Sequence, residues 1–108
     1  MAETVSEITV AMEEDGELLI EELEKVVLTK GPWSTILFRY RERNRQTKEF
    51  GPPKATVRRY QKFKGAYRKR DAVNLTLASS KHLIEVLSLW IDQGLLGDQS
   101  GREDESEE

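Results

Sequence analysis

From Ser34 the chain alternates, with Ile36, Phe38 and Tyr40 on one side of an extended backbone and Arg39, Arg41, Arg43 and Arg45 on the other. A period of two is the mark of a strand. Lys30, Gly31 and Pro32 break the chain just before it, Gly-Pro being strong turn punctuation. Asn44 to Pro53 reads as a loop, because Gly51, Pro52 and Pro53 forbid helix and interrupt pairing. A second alternation follows: Ala55, Val57, Arg59, Gln61 and Phe63 share one face, and Lys54, Thr56, Arg58, Tyr60 and Lys62 share the other. The second set is a basic face with one aromatic ring in it, which places Tyr60 on an exposed surface. Phe63 to Asp71, dense in Lys and Arg around Gly65, reads as a mobile basic hairpin or loop. Ala72 to Leu77, with Val73, Leu75 and Leu77 in phase, closes the series as a short strand. Upstream, Leu19, Leu23, Val26 and Val27 keep helical spacing while Val26 to Leu28 look like the end of a strand; we read the segment as strand.

The period then changes. Leu83, Ile84, Val86, Leu87, Trp90 and Ile91 cover a wide arc at about 100° per residue, with Lys81, Glu85, Ser88 and Asp92 opposite, which predicts an amphipathic helix. Ser79 or Ser80 can cap its start, and Gly94 can supply the left-handed residue that ends it. The arc is wider than one sheet contact needs. Either the helix is buried within one core, or Leu83, Leu87, Trp90 and Ile91 pack on a second copy of the chain.

These elements make one domain of class α+β over residues 18–95, between a flexible acidic N-terminus, 1–17, and a disordered acidic tail, 96–108, too polar to order itself. The net charge of −3 conceals a segregation along the chain. Residues 1–24 hold nine acids and no base, while residues 25–70 hold 15 bases against Glu42 and Glu49, a surplus of 13 positive charges. That segment is expected to present a positive patch, which attracts polyanions by steering and counterion release. The chain has no Cys, and no apolar run approaches the roughly 18 residues that span a bilayer. A cytoplasmic protein without membrane contact is expected, nucleoid-associated if bacterial.

Catalytic chemistry finds little to use. His82, the sole histidine, has no Cys or second His near it, and there is no phosphate-binding glycine loop, dinucleotide fingerprint or nucleophile elbow. No enzyme activity, cofactor, metal or small-molecule substrate is expected. What stands out is the interleaving of Trp33, Phe38, Tyr40, Tyr60, Phe63 and Tyr67 with the cations. Single-stranded nucleic acid calls for that mixture, since Lys and Arg neutralise phosphates while flat rings stack on unpaired bases at about 1–3 kcal/mol each. Duplex reading by a helix is disfavoured, because the one clear helix carries only Lys81. The candidate contacts are Arg39, Arg41, Arg43, Lys54, Arg58, Tyr60, Lys62, Lys64, Tyr67, Arg68 and Lys69. Two alternatives stay open: RNA as the ligand, and a protein-interaction module whose basic sheet docks an acidic partner.

The stretch Gly51-Pro52-Pro53-Lys54-Ala55-Thr56-Val57-Arg58-Arg59-Tyr60 resembles the single-stranded-DNA-binding domain of positive cofactor four, the transcriptional coactivator, and especially its bacterial relatives. Lys54, Arg58 and Tyr60 stand where those relatives carry a Pro-Lys pair opening a strand, an Arg, and a large aromatic two residues on. Lys62 to Arg70 is similar to the family's basic hairpin, and Leu75-Thr76-Leu77 to the strand end before its helix. Asn74 departs from a common Gly, and the loop from Asn44 to Phe50 is longer and more basic. The resemblance implies a curved, four-stranded antiparallel sheet followed by one C-terminal amphipathic helix, homodimeric through helix and sheet edges. It further implies binding of single-stranded DNA with little sequence preference, in transcription regulation or in protection of unwound DNA.

Overall fold

The computed structural model describes residues 2–97; most of the acidic tail expected over 96–108 lies outside the described residues. The chain is α+β. After a 3-10 turn at Val5–Glu7 come β1 (Met12–Glu14), β2 (Glu17–Thr29), β3 (Trp33–Glu42), β4 (Lys54–Phe63), β5 (Ala66–Leu75) and helix α1 (Leu77–Asp92). The strands form one antiparallel sheet in the order β1-β2-β3-β4-β5. Four strands were expected and five are present.

The added strand comes from a turn. Asp15 and Gly16 both take positive φ, 54° and 79°, the pairing that a two-residue hairpin turn demands because its twist matches that of the strands. Lys64 and Gly65, at 54° and 82°, do the same between β4 and β5. Of the two forms expected for Phe63 to Asp71, hairpin and loop, the structure has the hairpin. The segment forms its tip and the start of β5, and the crowd of Lys and Arg is tolerated because β5 is an edge strand, where charge blunts unwanted pairing. Extra residues at four places in the ladders, opposite the Met12–Glu13 step, between Glu22 and Glu24, between Val27 and Thr29, and opposite the Arg59–Tyr60 step, add local twist.

Directly opposed residues on antiparallel strands share a face, so register decides what is buried. Ser34, Ile36, Phe38 and Tyr40 of β3 face Tyr60, Arg58, Thr56 and Lys54 of β4. On this side lies the core: Ile8, Val10, Ile36, Phe38, Tyr40 and Tyr60, with Ala2, Val5, Ile20 and Tyr67 packed around it. The N-terminal stretch expected to be a flexible end thus supplies two core side chains. It lies across the sheet without strand pairing over residues 8–11. Lys25 Nζ donates to the carbonyls of Val5 and Ile8 at 2.6 and 2.7 Å, the amide of Tyr67 donates to the carbonyl of Ala2 at 2.8 Å, and Glu22 accepts from the Thr9 hydroxyl at 2.6 Å.

The other side of the sheet is uncovered. Val26, Leu37, Val57 and Val73 stand side by side across β2, β3, β4 and β5, and Val26 and Val73 are exposed. Helix α1 does not cover them. Its start is fixed by Thr76, whose hydroxyl accepts from the Ser79 amide while Ser79 reciprocates, so the cap lies at Thr76 and not at the Ser79 or Ser80 expected for that role. Gly94, at φ 68°, occupies the left-handed position after its end as foreseen. Yet the helix buries no residue and makes no extensive contact with any strand. The radius of gyration, 16.1 Å, exceeds the roughly 13 Å of a compact domain this long. A single sheet with a thin covering on one side lacks the second layer that domains are normally built from.

Candidate nucleic-acid interface

β2 and β3 resolve the charge segregation of the sequence by pairing its two halves. Glu21 lies opposite Arg41 and Glu24 opposite Arg39, and both pairs close as salt bridges on the uncovered face. Arg43 reaches Glu17 at 3.6 Å and donates to the carbonyls of Leu18 and Lys48, while Phe50 receives the Arg41 and Arg43 guanidiniums, each 4.4 Å from its ring centroid. These arginines were expected to contact nucleic acid. They are on the opposite face from Arg58 and Tyr60 and already hold carboxylates, so one strand crossing one face cannot meet both groups. Exposed pairs of this kind contribute about 0–1 kcal/mol each, and their main effect here is to lower the local positive potential.

Of the 15 cations of residues 25–70, seven hold carboxylates: Arg39, Arg41, Arg43, Arg45, Lys48, Lys54 and Arg59. Lys54 bonds Glu42 at 2.7 Å, and this bond raises the lysine pKa above its ordinary value. The raised value makes any stabilisation by the pair complete below the unfolded lysine pKa and lost as pH climbs through the folded one. Eight cations remain without a carboxylate among the described residues. Lys25 ties down the N-terminal stretch and Arg58 lies in the sheet. The other six, Lys30, Lys62, Lys64, Arg68, Lys69 and Arg70, gather at one end, because the β2–β3 turn and the β4–β5 turn lie at the same end of an antiparallel sheet.

Aromatic rings are set among them. Phe63 is exposed, with Lys64 Nζ 5.3 Å from its ring centroid; Tyr67 is half-buried beneath Lys62, its hydroxyl donating to the Gly31 carbonyl at 2.9 Å; Trp33 is half-buried and carries the Arg59 guanidinium at 4.4 Å. Arg70 Nε donates to Gln61. Trp33 and Phe63 were visible in the sequence as part of the aromatic interleaving, whereas Arg70 was passed over as one more cation of the hairpin.

Tyr60 is a correction. It lies on the same face as Arg58, as the alternation requires, but is only 6% exposed and belongs to the core cluster. The row Lys54, Thr56, Arg58, Tyr60, Lys62 looks solvent-facing when read alone, but register sets its middle against Ile36 and Phe38 and beneath the N-terminal stretch. Arg58 is half-buried, and its Nε is buried with no hydrogen-bond partner. Beside it, Tyr60 and Tyr67 line an open cavity of about 500 Å³ with Ala2, Glu7, Ile8 and Thr9.

The proposed dimer-contact residues are accessible. Leu83, Trp90 and Ile91 are exposed at 43%, 42% and 62%, and Leu87 is half-buried. Among the described residues, no helix is long and apolar enough to cross a membrane. No protein-family model, curated protein or solved structure matches the chain.

Proposed function

We propose that the chain is a non-catalytic single-stranded-DNA-binding protein of the positive cofactor four type, acting as a homodimer. The observation that carries this reading is the gathering, at the β4–β5 end of the sheet, of six cations without carboxylate partners among the described residues, with Tyr67 beside them on the covered side and Trp33 and Phe63 on the other. Backbone phosphates neutralise Lys62, Lys64, Arg68, Lys69 and Arg70, and the unpaired bases meet the flat sides of the rings. Sequence preference is expected to be small, because rings and ammonium groups carry no base-edge code. Such binding fits a role in transcription regulation or in protecting unwound DNA.

Fluorescence titration with single-stranded and duplex oligonucleotides of one length, at two salt concentrations, tests the reading. Stacking on unpaired bases predicts tighter binding to the single strand at both, with log K falling by about 0.7 per neutralised phosphate for each decade of salt. An acidic peptide of equal charge should bind weakly. If the peptide binds as tightly as the oligonucleotide, the basic surface is an electrostatic dock for an acidic protein instead. A parallel RNA titration assigns the sugar preference.

The homodimer is proposed from the two apolar surfaces that the described chain leaves open, the valine and leucine row across the sheet and the face of α1. A second copy offers the same two surfaces in return, as a twofold interface requires. Replacing Trp90 with Asp should therefore convert a species of twice 12.5 kDa into monomer at micromolar concentration. Native mass spectrometry or sedimentation measures this directly. An unchanged mass would remove the helix from the interface.

A further inference from the structure

We infer that residues 2–10 are an intramolecular competitor for the nucleic-acid face, a strap that a bound strand displaces. The inference rests on the single-stranded-DNA reading above and adds to it a regulated extension of the site. Three observations converge. First, the strap lies over the one sheet face where a ring, Tyr60, and a cation without a carboxylate, Arg58, are in line with the open basic end. Second, on that face Arg58 Nε is buried with no hydrogen-bond partner among the described residues, and a buried donor left unpaired is costly. A phosphate oxygen is an acceptor of the right charge. Third, the strap, a 3-10 turn at Val5–Glu7 followed by an unpaired stretch, bears Glu3 and Glu7, and Glu7 lines the cavity beside Tyr60 and Tyr67. It thus lays acid and apolar side chains where a strand would lay phosphates and bases.

The hold is strong enough to matter and local enough to release. No sheet ladder fixes residues 8–11. The polar attachments are the two carbonyls held by Lys25, the Tyr67 amide bond to Ala2, and the bonds of Thr9 and Val10 to Glu22. Ile8 and Val10 add apolar contact, which a nucleobase on Tyr60 can replace with its own flat surface.

Lys25→Met in the full chain separates this mechanism from simple charge. Losing a cation should weaken binding to a polyanion, whereas losing the clasp on Val5 and Ile8 raises the fraction of open face and so tightens it. The expected result is about tenfold tighter binding of an oligothymidine at fixed salt. In the unaltered protein, oligothymidine should speed hydrogen exchange at the amides of Val10 and Tyr67, which the strap's bonds protect when closed. Equal or weaker binding by the variant, or unchanged protection of those amides in the complex, overturns the strap and leaves single-stranded-DNA binding standing. If neither protein binds the oligothymidine, both readings fall.

Discussion

Phe38→Ala is expected to lower the free energy of unfolding by about 3–5 kcal/mol, a large part of the roughly 5–15 kcal/mol that holds a small domain folded. Phe38 is wholly buried at the centre of the only hydrophobic cluster found among the described residues, between Ile36, Tyr40 and Tyr60 of the sheet and Ile8 and Val10 above it. With one sheet layer and a thin covering segment, few side chains are available to collapse into the space it leaves. Ile8→Ala should cost about 2–5 kcal/mol by the same mechanism, although Ile8 belongs to no strand or helix. Lys30→Ala, in an exposed turn, should stay within about 0.5 kcal/mol. Urea unfolding followed by circular dichroism measures all three. A small effect for Ile8→Ala would mean that the N-terminal segment is not part of the folding unit.

The contrast between Phe38 and Tyr60 shows where the sequence could be read and where it could not. Period two in Ile36, Phe38 and Tyr40 correctly marked β3 and its buried side, because these three successive positions of one phase are apolar while the other phase, Trp33 and Leu37 apart, is Thr and Arg. In β4 both phases mix polar with apolar: Ala55 and Val57 compete with Thr56 and Tyr60, and only pairing with β3 decides between them. Register is a long-range property, and no local pattern carries it. The helix was legible for the opposite reason, since its apolar arc, cap and terminal glycine all lie within the segment. β1 was legible in principle, because Asp15-Gly16 is a hairpin dipeptide, but the surrounding glutamates drew attention to charge instead. Those same glutamates decided the fate of the candidate site. Glu17, Glu21 and Glu24 are far from Arg39, Arg41 and Arg43 in sequence and adjacent to them in the sheet, so a positive patch inferred from segment totals shrank to one end of the molecule.

Neutralising that end is expected to have the largest functional effect. Replacing Lys62, Lys64, Arg68, Lys69 and Arg70 together with Gln should weaken oligothymidine binding by about 10³-fold near 0.1 M salt. It should also flatten the slope of log K against log salt by about 3.5, each lost phosphate contact removing about 0.7. The matched change at Arg39, Arg41 and Arg43 removes three cations as well, yet those hold Glu24, Glu21 and Glu17 and the slope should move by less than one unit. Net charge alone predicts loss in proportion, five to three. The distribution of ion pairs predicts loss almost wholly from the hairpin set, so the ratio of the two slope changes decides between them. Because all five hairpin residues are exposed, thermal unfolding of the two variants should differ little, which keeps the comparison one of binding. A proportional result would place the interface on the whole charged surface and remove the special role of the β4–β5 hairpin.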